Sequence, residues 1–151
     1  LLSAACTIGA ISTTDDKEKH QAMRDFGEKI GIAFQIRDDI FDYTGDTGKI
    51  GKPIGNDLRE KKITLPLLYS FSKVSKGQAK KILRMIKDQD ITREDIKYII
   101  NFVIDNGGLD YARDKANMYS KEARALLEQF DDCPARNSLI DFTNYVVDRN
   151  F

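Results

Sequence analysis

Gln35, Asp38, Asp39 and Asp42 are the residues best spaced to do chemistry together. At about 100° per residue they share one side of a helix. The same face runs back through Gly31, Glu28 and Arg24, and the far side carries Phe26, Ile30, Ala33, Phe34 and Phe41. Ile32, Ile36 and Ile40 widen the apolar side. Carboxylates one turn apart repel by a few tenths of a kcal/mol even on an exposed helix, and by more when partly desolvated. A cation removes that repulsion. Oxygen donors with no His or Cys nearby point to Mg²⁺ or Ca²⁺ rather than zinc. The ligand spacing of a Ca²⁺ loop is absent. Carboxylates on a helix suit Mg²⁺, which keeps several waters and is commonly completed by substrate phosphates.

A phosphate-binding counterpart follows directly. Residues 45–57 contain Gly45, Gly48, Gly51, Gly55 and Pro53, which cannot continue a helix, so a loop is expected. Lys49, Lys52, Arg59, Lys61 and Lys62 stand against only Asp57 and Glu60. An acidic helix running into a basic loop can hold a metal and a diphosphate together.

These residues carry a resemblance. Gly31-Ile32-Ala33-Phe34-Gln35-Ile36-Arg37-Asp38-Asp39-Ile40-Phe41-Asp42 resembles the G-x-A-F-Q-x-x-D-D-x-x-D helix of the trans-isoprenyl diphosphate synthases, which bears their second aspartate-rich motif. Residues 51–66 resemble the family's GKPxGxDLREGKxTLP segment, and the Tyr145-Val146-Val147-Asp148-Arg149 end resembles its YVVDR endings. A bare DDxxD says little; joined to the flanking segments it is specific.

The resemblance implies an all-α helical bundle, part of an isoprenoid synthase fold, with residues 1–151 as the carboxyl-terminal part of a single domain. It implies Mg²⁺-dependent, head-to-tail joining of an allylic diphosphate to isopentenyl diphosphate, and commonly a homodimer. Asp38 and Asp42 match metal-binding positions, and Asp39, about 100° round from Asp38, is implied to act through a metal-bound water. Gln35 matches a glutamine facing the allylic diphosphate or the developing cation. Lys52 and Lys62 match lysines that contact the diphosphate. Lys49 has no counterpart and reads as a solvated lysine. Phe34 lines the cavity or packs in the core, Glu28 and Arg24 form a surface or interface pair, and Arg149 could approach the second diphosphate. The chain starts without Met in an apolar run, so a truncated product is expected. The amino-terminal half would carry the first aspartate-rich motif, and the chain alone is expected to be inactive.

The rest of the sequence must position this helix. Hydrophobic residues make up 41% and charged residues 32% of 151, which suits a folded domain and excludes disorder. Zero net charge gives no field for nucleic acid. Cys6 and Cys133 form no CxxC and no disulfide framework, which fits a reducing cytoplasm. No run of 18 apolar residues exists, so no transmembrane segment is expected. Helices are expected over residues 1–12, 16–43, 62–74, 78–88 and 92–105. A further one follows the repeat of Leu109, Ala112, Ala116, Tyr119, Ala123, Leu126, Leu127 and Phe130, and a last one starts at Pro134. Ala4, Ala5, Gly9 and Ala10 allow close helix approach, Cys6 reads as a small buried hydrophobe, and Asp15 and Asp16 as caps. His20 has no nucleophile spaced around it, so it reads as a surface residue. Three other readings compete: a related terpene cyclase, which the second motif disfavours; a non-catalytic helical interaction subunit with a solvated acidic face, which the apolar surroundings disfavour; and a Ca²⁺ module, which the missing loop spacing disfavours.

Overall fold

The computed structural model describes residues 1–44 and 54–149, and among these every regular element is a helix. They are α1 (Leu2–Ile11), α2 (Lys17–Thr44), α3 (Asn56–Arg59), α4 (Leu65–Ser72), α5 (Lys76–Lys87), α6 (Arg93–Asp105), α7 (Gly108–Leu126) and α8 (Pro134–Asp148). The chain forms two compact units. One comprises Leu1–Arg37 and Asp114–Asn150, the other Asp38–Arg113.

Asp16 starts α2 as expected, its Oδ1 accepting the amides of Glu18 at 3.0 Å and Lys19 at 3.3 Å. The apolar side of α2 is buried where the spacing places it: Phe26, Ile30 and Ala33 in the first unit, Ile40 in the second. The opposite face stays open at Arg24, Glu28, Gln35 and Asp38.

In the first unit, Phe26, Ile30 and Ala33 pack with Ala123, Leu127 and Val146. The α1–α2 approach differs from the expectation. Gly9 has nothing within 4 Å of where a Cβ would stand. The close contact uses Gly27 of α2, where a Cβ would stand 2.6 Å from the Leu2 carbonyl oxygen. Ala5, Gly9 and Ala10 of α1 instead border a cavity of about 600 Å³, lined also by Cys6, Met23 and Phe130. No residue of α1 is buried, and Ile8 and Ile11 are exposed.

In the second unit, Leu58, Leu67, Ile82, Ile99 and Val103 form the core, with Tyr43 of α2 joined to it. α6 begins in a capping box, the Thr92 hydroxyl accepting the Asp95 amide and the Asp95 carboxylate accepting the Thr92 amide. α4 starts at Leu65 rather than Lys62. Thr64 is extended at φ −99°, and Pro66 falls in the first turn, where a missing N–H costs nothing. α7 stops at Leu126, and Leu127, though buried, lies in the turns that follow.

Candidate functional site

The second unit holds the three carboxylates of the acidic stripe. Asp38 is exposed, while Asp39 and Asp42 are half-buried. Three consecutive amides converge on Asp42. The Gly55 N–H donates to its carbonyl oxygen at 2.9 Å, the Asn56 N–H to Oδ1 at 2.9 Å and the Asp57 N–H to Oδ2 at 3.1 Å. Asp42 therefore caps α3 from a distant position in sequence. Gly55, the residue before the helix, has φ 78° and no side chain to cap with. A Cβ there would also collide with Ile96.

The end of α3 is equally specified. The Lys61 N–H donates to the Leu58 carbonyl at 3.0 Å and the Lys62 N–H to the Asp57 carbonyl at 2.8 Å. This is the bonding of a Schellman motif, with Lys61 in the left-handed position at φ 60°. The family pattern quoted above carries glycine there. A lysine pays the left-handed penalty that glycine avoids. Lys61→Gly is therefore expected to stabilise the protein by about 1 kcal/mol, read as a higher urea midpoint at unchanged m-value.

The motif turns the Lys62 side chain back towards Asp57. Its Nζ lies 3.3 Å from Asp57 Oδ1 and 2.6 Å from Glu60 Oε2. These partners raise the Lys62 pKa, Glu60 most. Beyond the turn, the buried Tyr43 hydroxyl bonds Thr64 Oγ1 at 3.2 Å, linking the end of α2 to the start of α4.

Burial pushes the Asp42 carboxyl up to about 6; the charges of Asp57 and Asp39 add to this, and the two amide bonds oppose it. A carboxyl with a raised folded pKa binds its proton more tightly folded than unfolded. Its contribution to stability therefore falls as pH rises from about 4 to about 6, and is flat above. Because the group is half-exposed, the fall is about 1–2 kcal/mol. Urea titrations of wild type and Asp42→Asn across pH 4–7 should show that difference, in that direction.

The other predicted residues are placed as follows. Gln35 and Phe34 belong to the first unit and line a cavity of about 610 Å³ with Leu2, Gly31 and Phe142. Arg149 is buried in the same unit, its guanidinium 4.0 Å from the centre of the Phe34 ring and bonded to the Phe34 carbonyl at 3.3 Å. Its own carbonyl accepts Arg37 Nη2 at 2.9 Å. Lys49 and Lys52 lie outside the described residues. Among the described residues no three His, Cys, Asp or Glu side chains are grouped closely enough to hold a metal ion by themselves. The residue that sequence reasoning passed over is Asp57. Its signal was its place in the GxDL segment, and the structure brings it to Asp42.

The chain matches the family described as polyprenyl synthetase over residues 1–103. It is 36% identical to the geranylfarnesyl diphosphate synthase of Aeropyrum pernix over 99% of its own length and 46% of that protein's. Among solved structures it resembles a polyprenyl synthase from Caulobacter crescentus, complexed with calcium and isoprenyl diphosphate (TM-score 0.88, 36% identity, 98% of this chain and 45% of that one). It also resembles a geranylgeranyl pyrophosphate synthase from Bacteroides thetaiotaomicron (TM-score 0.88, 38% identity, 98% of this chain and 48% of that one). The chain thus spans less than half the length of each.

Proposed function

Because the chain belongs to the polyprenyl synthetase family, we propose that it is the carboxyl-terminal half of a Mg²⁺-dependent synthase that joins an allylic diphosphate to isopentenyl diphosphate. The observation that supports this reading is the return of the chain to the acidic helix at Asp57: its amide bonds Asp42 Oδ2 at 3.1 Å, and Lys62 Nζ lies 3.3 Å from its carboxylate. The first aspartate-rich motif would come from the length that the relatives have and this chain does not span. Ile8 and Ile11 of α1 offer apolar surface for that segment or for a second copy of the protein.

The donor set fits a hard cation, since Asp38, Asp39 and Asp57 present only carboxylate oxygens. With no self-sufficient cluster of three among the described residues, water and phosphate oxygens would complete the coordination. Bound Mg²⁺ would neutralise the charge that develops on the departing diphosphate. Asp38, the exposed carboxylate, would bind the metal directly, and Asp39 through a water. Lys62 would exchange Asp57 and Glu60 for phosphate oxygens, joined by Lys52. Gln35 would face the allylic end of the substrate with an uncharged dipole.

The test is elongation by the full-length protein. With Mg²⁺, isopentenyl diphosphate and geranyl diphosphate, a longer prenyl diphosphate is expected, and none once the metal is chelated. Absence of any elongated product from a panel of allylic diphosphates would overturn the reading.

A further inference from the structure

Asp42 shares its helix face with Asp38, yet its carboxylate is already engaged. Oδ1 and Oδ2 each accept one backbone amide, from the adjacent residues Asn56 and Asp57. The backbone carbonyl of the same residue accepts the amide just before them. A carboxylate that swung towards a metal would strip Asn56 and Asp57 of these bonds, and both residues are half-buried. The consequences run further along the chain. Asp57 holds Lys62 twice, through its carbonyl to the Lys62 amide at 2.8 Å and through its carboxylate to Nζ at 3.3 Å. Fixing Asp57 therefore fixes the backbone from which the Lys62 side chain reaches.

Resting on the synthase reading above, we propose that Asp42 is a positioning residue: it clamps the turn at residues 55–57, so that Asp57 and Lys62 are held towards the diphosphate, and the direct metal contact belongs to Asp38. An asparagine at this position keeps an acceptor oxygen and so half of the side-chain clamp, but it is a poor Mg²⁺ ligand. An alanine keeps neither.

The experiment uses the full-length protein and two readouts. The first is hydrogen exchange of the peptide spanning residues 54–60, without metal. Asp42→Ala is expected to speed its exchange at least tenfold and Asp42→Asn by less, while the α6 peptide around Ile99 stays protected as evidence of folding. The second is calorimetric binding of a non-hydrolysable geranyl diphosphate analogue as Mg²⁺ is varied. Asp42→Asn should keep the Mg²⁺ midpoint within threefold of wild type. Asp42→Ala and Lys62→Ala should each weaken analogue affinity about tenfold, and the double variant should bind no more weakly than either. A Mg²⁺ midpoint raised tenfold or more in Asp42→Asn would make Asp42 a metal ligand and overturn the proposal. So would additive losses in the double variant, or exchange at 54–60 unchanged in Asp42→Ala. A wild-type protein with no Mg²⁺-dependent analogue binding is a different failure: it sinks the synthase reading, and this inference with it.

Discussion

Asp38→Ala is expected to lower kcat/KM for elongation by the full-length protein at least ~10³-fold. Asp38 is the exposed carboxylate of the stripe. Removing a carboxylate that fixes a catalytic metal forfeits several kcal/mol of transition-state charge stabilisation, and ~4 kcal/mol corresponds to three orders of magnitude. The loss should appear mainly in kcat, because the charge on the leaving diphosphate grows in the transition state. Raising Mg²⁺ should recover part of it, as expected of a weakened site and not of a collapsed fold. Asp141→Asn, an exposed carboxylate on α8, is the control and should leave the rate within twofold. A reduction below tenfold in Asp38→Ala, with the control unchanged, would remove Asp38 from the metal site.

Much of the scaffold was legible because it repeats. The alternation of Phe26, Ile30 and Ala33 against Arg24, Glu28 and Gln35 predicts which side of α2 is buried, and the structure agrees. The cap at Asp16 was readable from short-range chemistry. What stayed hidden depends on contacts between residues distant in sequence. No local pattern says that Asp42 will bond the amides of Asn56 and Asp57, 14 and 15 residues away. The short helix α3 was invisible for the same reason, since Gly55 supplies no cap and Lys61 is a poor left-handed residue. The motif marks the acidic stripe; the amide bonds that engage Asp42 are legible only in the fold.

Gly108→Ala is expected to destabilise the second unit by about 3 kcal/mol, and Gly107→Ala by about 1 kcal/mol. The structure gives these neighbours different roles. Gly107 has φ 69°, the left-handed conformation that ends α6, and a Cβ there would meet nothing closer than a Tyr69 ring carbon at 4.0 Å. Its replacement costs conformational strain alone. Gly108 opens α7 and is buried, and a Cβ there would collide with the Pro66 carbonyl oxygen and Ser70 Oγ and lie 2.9 Å from Val103 Cγ1. None of these moves freely: one is backbone, Ser70 is held by its bond to the Pro66 carbonyl at 2.9 Å, and Val103 is fully buried in the core. α4 or α6 must shift as a body. Such a shift would also disturb the Tyr69–Tyr111 stack, whose rings lie 4.0 Å apart at 9°. It reaches the site as well, because α4 follows Thr64, the partner of Tyr43. Urea unfolding of the two single variants measures the difference. Equal losses would mean that the α4–α6–α7 contact is looser than its geometry states. A threefold larger loss at Gly108, with weaker Mg²⁺-dependent diphosphate binding in the folded variant, would tie the packing of this contact to the placement of Lys62.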